Sequence, residues 1–144
     1  MKAIQYEMPE GGSAIAIASE PEVMYLTKEK VSSFSVENFT ALSQKLLFTQ
    51  LEWSEILHIS DRTLQRYLKE GKPFEGLFAE HLYQLDNMAD LGLIVFSSPK
   101  NLEEWLRTPK SVLNKMLDFS TLQSFWGVKL LGNELGRIEH GVYI

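Results

Sequence analysis

Cysteine is absent from the 144 residues, which removes disulfides, thiolate metal sites and cysteine nucleophiles together. Histidine is scarce: His58, His81 and His140 lie far apart and share no metal-ligand spacing. No apolar run approaches the ~18 residues that a membrane-spanning helix needs. A Gly-rich phosphate loop, a nucleophile elbow and an HExxH pattern are missing as well. Carboxylates are plentiful, yet no pair stands apart in an apolar setting. The expectation is a protein that is not an enzyme, binds no metal or cofactor and does not enter a membrane.

The chain is 44% hydrophobic, too apolar for a disordered protein. Its length suits one domain or two small ones, which bury roughly two-thirds of the unfolded surface. Near the amino end, Ala14–Ala18 forms a short apolar stretch, but Glu7 and Glu10 precede it where a signal peptide needs basic residues. A cytoplasmic protein is expected.

The net charge of -5 argues mildly against nucleic acid, but the distribution argues otherwise. Residues 1–57 carry -4 and residues 73–144 carry -3, while 58–72 carries +2, with Arg62, Arg66, Lys69 and Lys72 against Asp61 and Glu70. A phosphate backbone responds to the field within a Debye length, roughly 8–10 Å, more than to the distant total.

The periodicity is helical from Ser35 onward. Phe39, Leu42, Leu46 and Leu47 form one stripe, with Ser35 as N-cap. A second helix over about 50–57 turns Leu51, Ile56 and Leu57 inward. A third runs from Asp61 to Glu70, capped by Ser60 and ended by Gly71-Lys72-Pro73. A longer helix over about 76–96 places Phe78, Leu82, Leu85, Met88, Ala89, Gly92 and Val95 on one side. Ser98-Pro99 starts a short helix through Leu106, and a last helix over about 121–139 stripes Phe125, Val128, Leu131, Leu135 and Ile138. Trp105 and Trp126 are expected in the core, whereas Trp53 is open between the core and a position facing the amino arm. The fold class read from this pattern is all-α.

Leu51 to Leu68 has the form of a helix-turn-helix. Its second helix sets Arg62, Gln65, Arg66 and Lys69 on one face and Leu64, Tyr67 and Leu68 on the other. Arginine pairs with guanine and glutamine with adenine in a major groove that admits a helix. Ser60 and Thr63 are candidates for phosphate contact, and Lys72 extends the basic face. Asp61 opposes this reading by repelling phosphate, although it suits a helix N-terminus. His58 stands where such turns often carry a left-handed glycine, and histidine tolerates that conformation better than most residues. Ser54 is small enough for the place where the two helices come close.

The blocks ISDRTLQRYLKEGKP, EEWLRTP and LGRIEHGVY closely resemble, in order and spacing, the Xre/MbcA/ParS-type antitoxins of bacterial toxin–antitoxin pairs. The resemblance covers about residues 36–144. It implies a helix-turn-helix domain over 34–97 after a variable arm over 1–33, a C-terminal helical toxin-binding domain over 98–144, and a RES-type, NAD-depleting toxin as partner. The chain would neutralise that toxin and repress its own operon. The pattern departs at 110–118, where the family's Asn-Pro and Gly-Gly-Arg/Lys-Thr-Pro turn is replaced, so the loop between Trp105 and the last helix is expected to have its own shape.

At the carboxyl end, Arg137, Glu139, His140, Gly141, Val142 and Tyr143 have two readings. His140 and Gly141 are ordinary helix-termination chemistry. The resemblance implies instead that this end blocks the toxin's cleft, with Arg137 as a forked anchor and Val142 and Tyr143 as an apolar plug. Gly132 and Gly136, four apart on one helix face, suggest a close backbone approach to a neighbouring helix or a second chain. A homodimer is expected because paired half-sites need two recognition helices. The alternatives are a stand-alone helix-turn-helix regulator whose C-terminal domain only dimerises, and an interaction module without DNA binding.

Overall fold

The computed structural model describes residues 33–141. Ala14–Ala18, Val142 and Tyr143 fall outside them. The described chain is mostly helical, with helices α1 (Val36–Lys45), α2 (Gln50–Leu57), α3 (Asp61–Glu70), α4 (Leu77–Phe96), α5 (Pro99–Arg107) and α6 (Phe125–Glu139). Two two-stranded antiparallel sheets join them, β1 (Ser33–Phe34) with β2 (Phe74–Glu75), and β3 (Lys110–Val112) with β4 (Lys115–Leu117). The all-α expectation therefore holds for the helices but misses both sheets.

Local chemistry sets the helix starts. The hydroxyls of Ser35, Thr49, Ser60, Ser98 and Ser124 each accept from a backbone N–H in the first turn of the following helix, satisfying donors that would otherwise lack a partner. Glu52 completes a capping box by accepting from the Thr49 N–H at 2.9 Å.

Helix α4 packs against α1, α5 and α6, and a single core runs from Phe34 to Leu135. Gly92 permits the α4–α5 contact: a Cβ there would lie 2.5 Å from Leu102 Cδ1. Lys45 ties α1 to α4 through Asp86 (2.8 Å) and Asp90 (2.6 Å). The short β1–β2 pair also packs on α4, burying Phe34 and Phe74, and Tyr83 Oη donates to the Ser33 carbonyl at 2.9 Å.

Four side chains depart from their expected burial. Leu51 and Trp126 are 60% and 61% exposed, and Leu47 and Phe78 also face outward. Trp53 is buried against Phe39 and Phe48. Trp105 is half-buried beside Phe96, with the Lys110 ammonium 4.3 Å from its ring.

Residues 110–117 form a hairpin whose tip, Leu113 and Asn114, has φ of 52° and 65°. Two consecutive positive φ values suit Asn-Gly far better than a leucine, and Leu113 gains no burial in return. Leu113→Asn is expected to stabilise the protein by about 1 kcal/mol, seen as a higher urea midpoint at unchanged slope. A lower midpoint would show that the leucine is held by packing after all.

Between the hairpin and α6, the 3-10 turn Phe119–Gln123 is held by two imidazoles. His81 Nε2 donates to the Leu122 carbonyl (2.9 Å) and His58 Nε2 to the Gln123 carbonyl (2.7 Å). His81 is buried against Phe125. Burial, reinforced by nearby His58, outweighs the hydrogen bond to Leu122 and holds its pKa below the ordinary imidazole value. The folded state therefore favours neutral His81, and the unfolded chain takes up the proton first. Stability is complete above about pH 6.5 and declines as pH falls through that value. Thermal melts between pH 8 and 5.5 are expected to show this loss, and His81→Gln is expected to flatten it. An equal slope in the variant would assign the titration elsewhere.

Candidate functional site

Helices α2 and α3 are joined by His58, Ile59 and Ser60. The turn is possible because His58 takes φ 60°, ψ 39°, and the Ile59 N–H reaches back to the Ser54 carbonyl at 3.1 Å. Ser54 is buried between the helices, its hydroxyl donating to the Leu51 carbonyl at 2.7 Å. Leu64 anchors the inner face of α3 in the core, with Tyr67 and Leu68 packed beside it. Tyr67 stacks on Phe74 at 5.3 Å.

The outer face of α3 carries the expected polar set. Arg62, Gln65, Arg66 and Lys69 are exposed and line one shallow cleft with Glu70. Among the described residues, none of Arg62, Arg66, Lys69 and Lys72 joins an ion pair. Other cations are engaged. Arg107 forks onto Glu52 at 2.8 and 2.9 Å and bonds Glu103 at 3.0 Å. Lys110 Nζ donates to the carbonyls of Trp105 and Thr108 at the end of α5. The hydrogen bonds from Arg107 hold the Glu52 carboxyl below its usual range, and those to Glu52 and Glu103 raise the guanidinium pKa. Burial lowers the Lys110 ammonium.

Ser60 and Thr63 are partly occupied with each other. Ser60 Oγ accepts the Thr63 N–H (3.0 Å) and donates to Thr63 Oγ1 (2.8 Å), so the Thr63 hydroxyl proton is the one left to donate outward. Lys72 lies past the αL Gly71 cap with its ammonium 5.0 Å from the Tyr67 ring. Gln50 lies outside the set of site residues expected from the sequence. It opens α2 and donates through Nε2 to Asp61 Oδ1 at 2.9 Å, while Gln65 Nε2 donates to Asp61 Oδ2 at 3.2 Å. Gln50 and Asp61 are eleven residues apart, and no local pattern announces their contact.

The carboxyl-end residues are spread along and beyond the last turn of α6. The Arg137 side chain is 53% exposed, with Nε 3.4 Å from the carboxylate of buried Glu134. Glu139 and His140 are exposed, His140 Nε2 lying 3.8 Å from the Glu139 carboxylate. Gly141 takes φ 72° and its N–H closes on the Ile138 carbonyl. The glycine pair does not bring helices together within the described chain: a Cβ at Gly132 would meet nothing within 4 Å, and one at Gly136 only Leu91 at 4.0 Å. No helix is long and apolar enough to cross a membrane, and no group of His, Asp and Glu could hold a metal, among the described residues. No protein-family model matches the chain, and no curated protein is significantly similar to it.

Proposed function

We propose that this chain is an antitoxin of the Xre/MbcA/ParS type, which represses its operon through a helix-turn-helix and neutralises a RES-type toxin through its carboxyl end. The observation that carries the DNA-binding half is the exposed row of Arg62, Arg66 and Lys69, free of ion pairs among the described residues. Such a row lies on a helix whose opposite face is fixed in the core by Leu64. Guanidinium and ammonium groups held this way meet phosphates and guanine edges without first breaking an internal pair. The sequence blocks around Trp105 and Gly136 support the toxin-binding half, with Arg137 as anchor and Glu139, His140, Gly141, Val142 and Tyr143 beside it. A dimer would place two copies of α3 on adjacent half-sites.

The test combines two measurements on the full chain. Binding to a labelled duplex from its own upstream region is expected to weaken linearly on a logarithmic salt scale, with a slope of about -0.9 per phosphate neutralised. The product of the neighbouring toxin-like reading frame is expected to co-purify with it, and deletion of residues 136–144 to abolish protection in co-expression. DNA binding without a co-purifying neighbour would favour the stand-alone regulator. Absence of salt-dependent binding would leave the interaction module.

A further inference from the structure

Asp61 is an acid at the start of a helix whose outward cleft is lined by Arg62, Gln65, Arg66 and Lys69, with Glu70 at its far end. Repulsion between this carboxylate and a nearby phosphate opposes binding. Ser60 already caps the helix, so what the carboxylate adds to that end is its negative charge, which a helix N-terminus favours. Both carboxylate oxygens are committed, Oδ1 to Gln50 and Oδ2 to Gln65. The one side chain thus bridges the first turn of α2 and the second turn of α3.

The bridge has a consequence for the amide groups. An ionised carboxylate only accepts hydrogen bonds, so each glutamine must turn its nitrogen toward Asp61. A terminal carboxamide is otherwise nearly indifferent to a half-turn. With Nε2 held, Gln65 retains Oε1 and a second N–H on the exposed face of α3. Those are the groups that adenine requires, an acceptor for its N6 amine and a donor for its N7. Guanine shows two acceptors at the same edge and would face the amide oxygen unfavourably.

We infer that Asp61 is a positioning residue that presets Gln65 to select adenine, with Gln50 held by the same carboxylate and its remaining N–H available to a phosphate. This rests on the DNA-binding reading above. The experiment is selection of a randomised duplex pool by the full chain, with Gln65→Ala, Asp61→Ala and Asp61→Asn beside it. The unaltered chain is expected to enrich a motif with one adenine per half-site, preferred about 5- to 150-fold over other bases. Gln65→Ala should lose that preference alone and keep the remaining motif. Asp61→Ala should lose it too, while affinity for non-specific duplex stays level or rises because a negative charge is gone. Asp61→Asn, with one acceptor in place of two, should fall between. A merely structural role would weaken specific and non-specific binding together, and that result would overturn the inference. So would a Gln65→Ala motif identical to the original. If the unaltered chain enriches no motif and binds no duplex, the DNA-binding reading itself fails.

Discussion

Gly127→Ala is expected to destabilise the protein by about 3 kcal/mol, near the upper end for overpacking and a large share of the 5–15 kcal/mol typical of a domain. Gly127 lies in the first turn of α6, where its N–H bonds Ser124 Oγ at 2.9 Å. A methyl group there would run into the Thr121 carbonyl oxygen and stand 2.7 Å from Thr121 Cγ2. The first obstacle is backbone, so no rotamer change relieves it. The 3-10 turn could yield only by giving up the imidazole bonds to the Leu122 and Gln123 carbonyls and the burial of Leu122. Gly132→Ala supplies the contrast within the same helix. Its Cβ enters open space, so the ordinary gain of helix propensity should stabilise by about 0.5–1 kcal/mol. Urea unfolding followed by circular dichroism measures both. A neutral Gly127→Ala would mean that the turn before α6 is far softer than its hydrogen bonds indicate.

What could be read from the sequence was local. The caps at Ser35, Ser60 and Ser98 were legible because one hydroxyl and one first-turn N–H suffice. Gly71 was legible because a positive φ after a helix selects glycine. Burial was less legible where apolar residues were counted without their phase. At 100° per residue, Trp126 lies about 180° from the centre of the Phe125, Val128, Leu131 and Leu135 stripe, and Leu51 is placed similarly against Trp53, Ile56 and Leu57. Both are exposed for that reason. The hairpin at 110–117 was illegible because its turn lacks the glycine that announces one, and its pairing is set by what surrounds it. The Gln50–Asp61–Gln65 bridge was hidden for a related reason. Asp61 and Gln65 are neighbours on one helix, but Gln50 meets them only once the chain has reversed at His58.

If the proposed DNA-binding role holds, the double substitution Arg62→Ala, Arg66→Ala is expected to cost about 2–6 kcal/mol in binding to the operator, at about 1–3 kcal/mol for each specific base contact. That corresponds to roughly 30- to 20,000-fold in affinity. Stability should change little, because both side chains are exposed and outside any ion pair among the described residues, and such surface changes usually stay within about 0.5 kcal/mol. Arg66 does lie 6.0 Å from the Tyr67 ring, but a cation at that distance on the surface adds little. Lys69→Gln separates charge from readout. An ammonium on a phosphate should lower affinity alike for operator and unrelated duplex and reduce the salt slope by about one, whereas the arginine pair should erase the difference between the two duplexes. Anisotropy titrations on both duplexes at several salt concentrations make the comparison. If the double variant lost affinity equally for both, Arg62 and Arg66 would be phosphate contacts, and α3 would hold the duplex without reading guanine.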